Sequence, residues 1–434
     1  MTDQFDDEFT REQQAFRDSF AGVDEFAPLD PAQFTTPAAP RLLWARVIGA
    51  AAAAVVVVAG AGFGLTQLAG RGLPVTAAGA AASAEVTTAA NDKDSSGGGV
   101  GLPAPEAPTA SSEYSLASSW QQPAPPPLVR FSPATGWLEG RFYLIGGTGP
   151  CSDLAACKTY RDGAAYDPST DSWTQVAASP VSLQDQSGVA FQGKLYFTST
   201  TDVMKSTLVV YDPSTNSWAT IAAPARLGGL VVAGDQLIGV GLGTRLGGDA
   251  VDRRYDPASN TWTALPTDPF SPDQTRSVVA VGNRLVLSAY TLSGETKYAT
   301  FDLTTQNWED HGTLTASGNP VAVGHSVVWL TTGSGNSGNI SGVYDVDNDS
   351  WQMYAIDLQP GSLKDSGTVV GDRITYYGHL LNPPTAGLTA LPELPKAKLT
   401  GQVVIGSPNG LLVYRVTGVD DKAKATAYYL PVSP

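Results

Sequence analysis

An aromatic residue followed by Asp, with Trp seven positions after the aromatic, occurs five times in this chain. The copies run Tyr166–Trp173, Tyr211–Trp218, Tyr255–Trp262, Phe301–Trp308 and Tyr344–Trp351. Successive Trp residues are 45, 44, 46 and 43 positions apart. A unit of this length cannot bury its apolar face alone, so copies must stack in a ring or an array. The residues within the unit suit that role. Asp-Pro-Ser-Thr-Asn is turn chemistry, because Asp bonds nearby backbone N–H groups and Pro presets φ. Trp brings a large apolar surface to the contact between neighbouring sheets. The ten repeated aromatics are therefore read as turn and packing positions, not as a site.

A second element recurs beside the first. A Gly-containing turn leads into an alternating apolar strand at Gly140, Gly193, Gly234, Gly282, Gly324 and Gly371, with a seventh at Asn409. Each reads as the inner strand of a small sheet after a tight turn. A chain with 46 Gly and 31 Pro and only 15% charged residues suits many short strands.

Together these units resemble the kelch repeat. Gly146-Gly147, after Tyr143, Leu144 and Ile145, matches that family's double-glycine strand end, and Tyr166 with Trp173 matches its Tyr…Trp pair. Thr198-Ser199 and Ser288-Ala289 depart from the glycine pair. The resemblance covers residues 114–434 and implies an all-β, seven-bladed β-propeller of kelch type. A degenerate outer strand from Leu388 has lost its Trp, and the last blade ends one strand short after Tyr428-Tyr429. Trp120, upstream of the first repeat, marks an unpaired outer strand. Closure of the ring by this N-terminal strand is the expectation, since it removes exposed edges. The step from Trp120 to Trp173 is 53 residues, and the extra length falls around Cys151 and Cys157. These two cysteines read as one disulfide stapling an enlarged blade-one hairpin.

The N-terminal part is different. From Val47 to Gly70, 24 residues carry no charge. That is long enough to cross a bilayer, so residues 42–70 are read as a transmembrane helix. A cleaved signal peptide is the rival, but it would begin with a short basic region rather than 40 largely acidic residues. Arg41 and Arg46 precede the segment and Arg71 follows, which places the N-terminus in the cytoplasm. Residues 71–113 are mostly Ala, Gly, Ser, Thr and Pro, with few charges and no aromatic residue, and are expected to be a disordered linker. In residues 1–40, Phe5, Phe9, Phe16 and Phe20, with Val23, share one helical face among nine acids and two Arg. Such a face fits a groove on a cytoplasmic protein. A disordered acidic tail is the other reading.

Charge excludes one class of partner. With 41 acids against 26 Lys and Arg, a net of −15, nucleic acid is not expected as a ligand. No Gly-x-Ser-x-Gly elbow or Walker-type loop occurs. Some kelch-type propellers are copper radical oxidases, which need metal-binding His and Tyr and a Cys joined to Tyr. Here the three His, His311, His325 and His379, fall in different blades, and the two Cys are more simply paired together. No cofactor is therefore expected. Asp185, Asp249 and Asp365 break the repeat pattern and are loop candidates. The leading expectation is a membrane-anchored, extracytoplasmic binding module for a protein or glycan ligand. The alternative is a transmembrane regulator whose Phe-faced tail binds an intracellular factor. An extracytoplasmic oxidase or hydrolase comes third.

Overall fold

The second strand of each repeat is apolar on both faces because two neighbours need it. In Arg141–Ile145, Phe142 and Leu144 enter one core cluster while Tyr143 and Ile145 enter another. Alternate residues of a strand point to opposite faces, so each sheet is sandwiched between two others. The computed structural model describes residues 115–151, 157–202, 205–270, 272, 274–290, 295–314, 319–330, 339–356, 363, 366–385 and 387–433. The expected tail at 1–40, anchor at 42–70 and linker at 71–113 lie outside these residues. Among the described residues, no helix is long and apolar enough to cross a membrane.

The described residues form seven four-stranded antiparallel sheets, the blades of a β-propeller. The outermost strand of blade seven is β1 (Ser115–Leu116). Blade one is β2 (Ala134–Leu138), β3 (Arg141–Ile145), β4 (Gly163–Asp167) and β5 (Ser172–Val176). Blade two is β6 (Val189–Phe191), β7 (Lys194–Asp202), β8 (Lys205–Asp212) and β9 (Ser217–Ala222). Blade three is β10 (Leu227–Ala233), β11 (Gln236–Gly241), β12 (Arg253–Asp256) and β13 (Thr261–Ala264). Blade four is β14 (Thr275–Val281), β15 (Arg284–Tyr290), β16 (Thr296–Asp302) and β17 (Asn307–Leu314). Blade five is β18 (Asn319–Val323), β19 (Ser326–Leu330), β20 (Asn339–Asp345) and β21 (Ser350–Ile356). Blade six is β22 (Ser366–Val370), β23 (Arg373–Tyr376), β24 (His379–Asn382) and β25 (Gly387–Ala390). Blade seven takes β26 (Leu399–Ser407), β27 (Gly410–Thr417) and β28 (Lys424–Ser433), with β1 as its fourth strand.

Two sequence expectations shift. The strands after the Gly turns are second strands, not innermost ones. The innermost strands lie upstream of those turns and carry no repeated motif; some contain glycine, such as LGGLVVA and SGTVV, and others, such as NPVAV, do not. The closing strand pairs Ser115 with Ser433 and Leu116 with Val432, ahead of Trp120, and a further bridge joins Gln121 to Tyr429. Trp120 keeps the expected packing role, seated against the cluster shared by blades six and seven.

Each repeat Trp lies between sheets. Trp173, Trp218, Trp262 and Trp308 donate their indole N–H groups to Ala124, Ala177, Ala222 and Pro266 carbonyls in the preceding blade. In the turns, the Asp after each aromatic accepts a backbone N–H two residues on, as Asp167 does from Ser169 and Asp212 from Ser214. The fifth residue after the aromatic is left-handed, with φ of 46° at Asp171, 47° at Asn216 and 53° at Asn260. Its side chain accepts the Tyr hydroxyl, at 3.0 Å for Tyr166–Asp171 and 2.9 Å for Tyr211–Asn216. Blade four changes both partners together. Phe301 has no hydroxyl, and Gln306 turns to the Leu303 carbonyl instead.

Candidate functional site

Antiparallel strands sort the connections between two ends. The first-to-second and third-to-fourth turns share one end and are tight. The second-to-third connections and the blade-to-blade connections share the other. There the spacing varies: 146–162 in blade one, 242–252 in blade three and 331–338 in blade five separate the flanking strands. The Cys151–Cys157 disulfide, with a Cα–Cα distance of 5.6 Å, belongs to the first of these connections. Variable connections on a rigid ring are where binding residues usually gather.

All seven innermost strands border a central channel of about 400 Å³. Small residues let them approach the axis. A Cβ at Gly188 would lie 2.5 Å from the Phe197 ring, and one at Gly406 only 1.8 Å from the Val369 carbonyl. The walls carry Val, Leu and Ile side chains between neutral polar ones, Thr135, Gln186, Ser187, Ser277, Asn319 and Thr368. One ionisable side chain, Asp185, is present among the described lining residues.

Asp185 sits in the connection from β5 to β6, at the end with the variable loops. Its backbone is left-handed, φ 47°. Cross-blade hydrogen bonds fix that segment. Asp185 donates its N–H to the Ser132 carbonyl at 3.0 Å, Thr135 donates to Gln186 at 2.7 Å, and Gly188 donates to Thr135 at 2.6 Å. Asp185 is an exposed residue, yet protein crowds its carboxyl on most sides. That crowding pushes its pKa up, while a hydrogen bond from Ser132 pulls it partly back. The sequence singled out Asp185 as a pattern breaker. It gave no signal for Gln186, Ser187 or Asn319, which are unremarkable polar residues until the ring brings them to one axis.

The other candidates stand elsewhere. Asp249 pairs with Arg253 in the blade-three connection, and Asp365 lies outside the described residues, as do Phe5, Phe9, Phe16 and Phe20. His325 is 79% exposed in a tight turn at the opposite end, 2.7 Å from Asp347. His379 opens β24, and His311 lies on the outer strand β17. None of the three lines the channel, and both cysteines are bonded to each other. The channel therefore offers no imidazole or thiolate, and its donor set does not fit a copper ion. Nor does it pair two carboxyls for acid–base hydrolysis among the described lining residues. What it offers is an apolar-walled recess with hydrogen-bonding groups and one acid, a combination suited to holding a ligand.

No protein-family model and no curated protein matches the chain. Among solved structures it is similar to a novel fungal alcohol oxidase of the AA5 family in complex with copper. The identity is 13%, over 72% of this chain and 76% of that chain, with a TM-score of 0.48. It is also similar to YjhT, at 15% identity over 72% of this chain and 99% of that chain, with a TM-score of 0.39.

Proposed function

We propose that this chain is a kelch-type propeller that works as a binding module, taking a protein or glycan ligand at the loop end of its channel. The observation that carries the reading is the convergence of one carboxylate and several neutral hydrogen-bonding groups on an apolar channel whose mouth is ringed by the variable connections. The repeat supports the kelch assignment through Gly146 and Gly147, both left-handed at φ 68° and 80°. A Cβ on Gly146 would lie 2.4 Å from the Leu183 carbonyl, so the pair permits a close strand-end turn. The uncharged stretch at 47–70 supports a membrane anchor with the propeller outside the cell.

The test is a glycan and cell-surface binding screen with the full chain and Asp185→Asn. A ligand that binds the wild type and binds the variant at least tenfold more weakly supports the reading. Ligands bound equally by both would move the site away from the channel mouth.

The Phe face of residues 1–40 favours a second, regulatory reading in which the tail captures a cytoplasmic protein. Pull-downs with the wild-type tail and with Phe9→Asp/Phe16→Asp decide it, since equal recovery from both would remove the idea.

A further inference from the structure

The junction between blades four and five departs from the others. Elsewhere the third and fourth strands of blades one, two, three, five and six pair in unbroken register. Between β16 and β17 the register shifts, so that Tyr298 faces both His311 and Gly312 across a bulge. Gly312 takes φ 79°, which the bulge requires. The next Trp also behaves differently. Trp351 donates to the Tyr298 hydroxyl instead of to a backbone carbonyl.

Glu309 and His311 are two positions apart on β17 and project from one face, the face toward blade five. The imidazole stacks on Tyr298 with centroids 4.8 Å apart and planes at 9°. Its side chain is only 9% exposed. Nε2 lies 2.9 Å from the Thr300 hydroxyl. When Nε2–H donates to Thr300, the Nδ1 lone pair is left facing Asp349 Oδ1. Support of this kind on the far nitrogen is what orients a metal-binding histidine.

Asp349 arrives from the turn between β20 and β21. Its Oδ1 accepts the Tyr344 hydroxyl at 2.9 Å and stands 3.5 Å from His311 Nδ1. That separation is too long for a good N–H···O bond. It does match two ligands of one ion, because donors about 2.0–2.1 Å from a tetrahedral zinc stand about 3.3 Å apart. Ligand atoms of Glu309, His311 and Asp349 all lie within 4.8 Å of one another. Both residues are exposed, so an ion can reach them from solvent.

We propose that Glu309, His311 and Asp349 form a binding site for a first-row transition-metal dication that staples blade four to blade five. One imidazole with two carboxylates suits Zn²⁺, Ni²⁺ or Cu²⁺. Ca²⁺ and Mg²⁺ take oxygen ligands and have no use for the imidazole. Two ligands come from one blade and one from the next, so the ion binds the folded ring and not the unfolded chain.

The test is titration of the full chain with Zn²⁺ alone, by calorimetry and by equilibrium dialysis with metal analysis. One Zn²⁺ per chain is expected, undisturbed by excess Ca²⁺, together with a rise in melting temperature. Loss of an orienting group costs roughly 10- to 100-fold in metal affinity, and Thr300→Val falls in that range. Asp349→Asn and His311→Gln lose a ligand and weaken binding further. Asn already fills the Asp349 position in blades two and three, where Asn216 and Asn260 accept the Tyr hydroxyl, so Asp349→Asn keeps the turn. His325→Gln, which removes the exposed His325–Asp347 pair, leaves binding unchanged. A wild type that takes up no stoichiometric Zn²⁺ overturns the proposal. So does equal affinity in wild type and Asp349→Asn, or loss of binding with His325→Gln.

Discussion

The indole N–H of Trp120 donates to the Pro392 carbonyl at 2.7 Å, across 272 residues of sequence. The contact repeats what Trp173, Trp218, Trp262 and Trp308 do in their blades, but here it joins the first described strand segment to blade six. Ring closure therefore draws on the β1–β28 pairing, the Gln121–Tyr429 bridge and this Trp. Trp120→Ala is expected to cost about 3 kcal/mol, the lower end for removing a packed Trp. Trp120→Phe retains much of the packing and loses one hydrogen bond, about 1 kcal/mol. Urea unfolding of the full chain separates the two. A Trp120→Ala chain as stable as wild type would mean that this Trp adds nothing to closure.

Phe301 and Gln306 make a second test, because they depart from the repeat together. Phe301→Tyr alone puts a hydroxyl where no Asx side chain waits. Gln306→Asn alone offers an acceptor to a ring without a hydroxyl. The double variant restores the pairing that Tyr211 and Asn216 show at 2.9 Å. A double-mutant cycle is expected to show favourable coupling of about 1 kcal/mol. Additive effects would separate the two positions.

The turn carboxylates set the response to acid. Asp212 is held down to about 2 by the Ser214 hydroxyl and then by Lys194, against an ordinary value of 3.8. Hydroxyls of Ser169 and Ser259 lower Asp167 and Asp256, and the Thr305 N–H lowers Asp302. Each binds its proton more weakly folded than unfolded. Their stabilisation is full above 3.8 and is lost as pH falls toward about 2. Asp268 and Asp185, raised by burial, work in the opposite sense and blunt the fall. Melting temperatures between pH 7 and pH 2 are expected to drop most steeply in that acid window. A maximum near pH 3 would contradict this account.

The number of blades was legible from the seven strands that follow turns, and five blades are marked a second time because Trp and Asp have a set job in each copy of the repeat. The innermost strands were not legible. Residues such as Gly188 and Gly406 are chosen to let the chain pass close to its neighbours, and a glycine has no period to read. Asp185 stood out as an Asp outside the turn pattern, yet nothing local indicated that it faced the axis. The three histidines do stand in separate blades. What the sequence hid is that the ring sets His311 beside Asp349, since 38 residues separate them and only the blade geometry brings them together.

Arg276 supplies the last prediction. It lies near the start of β14 with 2% of its side chain exposed, and it bonds two acids that are equally enclosed, Asp252 and Asp268. Asp252 meets it with both oxygens at 3.0 Å, and Asp268 with one at 2.7 Å. The guanidinium also donates to the Gly241 carbonyl, while the Gly241 N–H donates back to Asp252. The cluster links blade three to blade four at the end of the ring that carries the variable connections. Removing the cation alone leaves two buried carboxylates with backbone N–H donors but no counter-charge. Arg276→Met is therefore expected to cost about 3–5 kcal/mol in urea unfolding. Replacing all three residues by apolar ones of similar volume removes the desolvation penalty along with the attraction, and such exchanges are often neutral or stabilising. The triple variant should recover most of the loss. If Arg276→Met alone unfolds at the wild-type urea concentration, the two acids take up protons or water at little cost, and the triad is not what joins these blades.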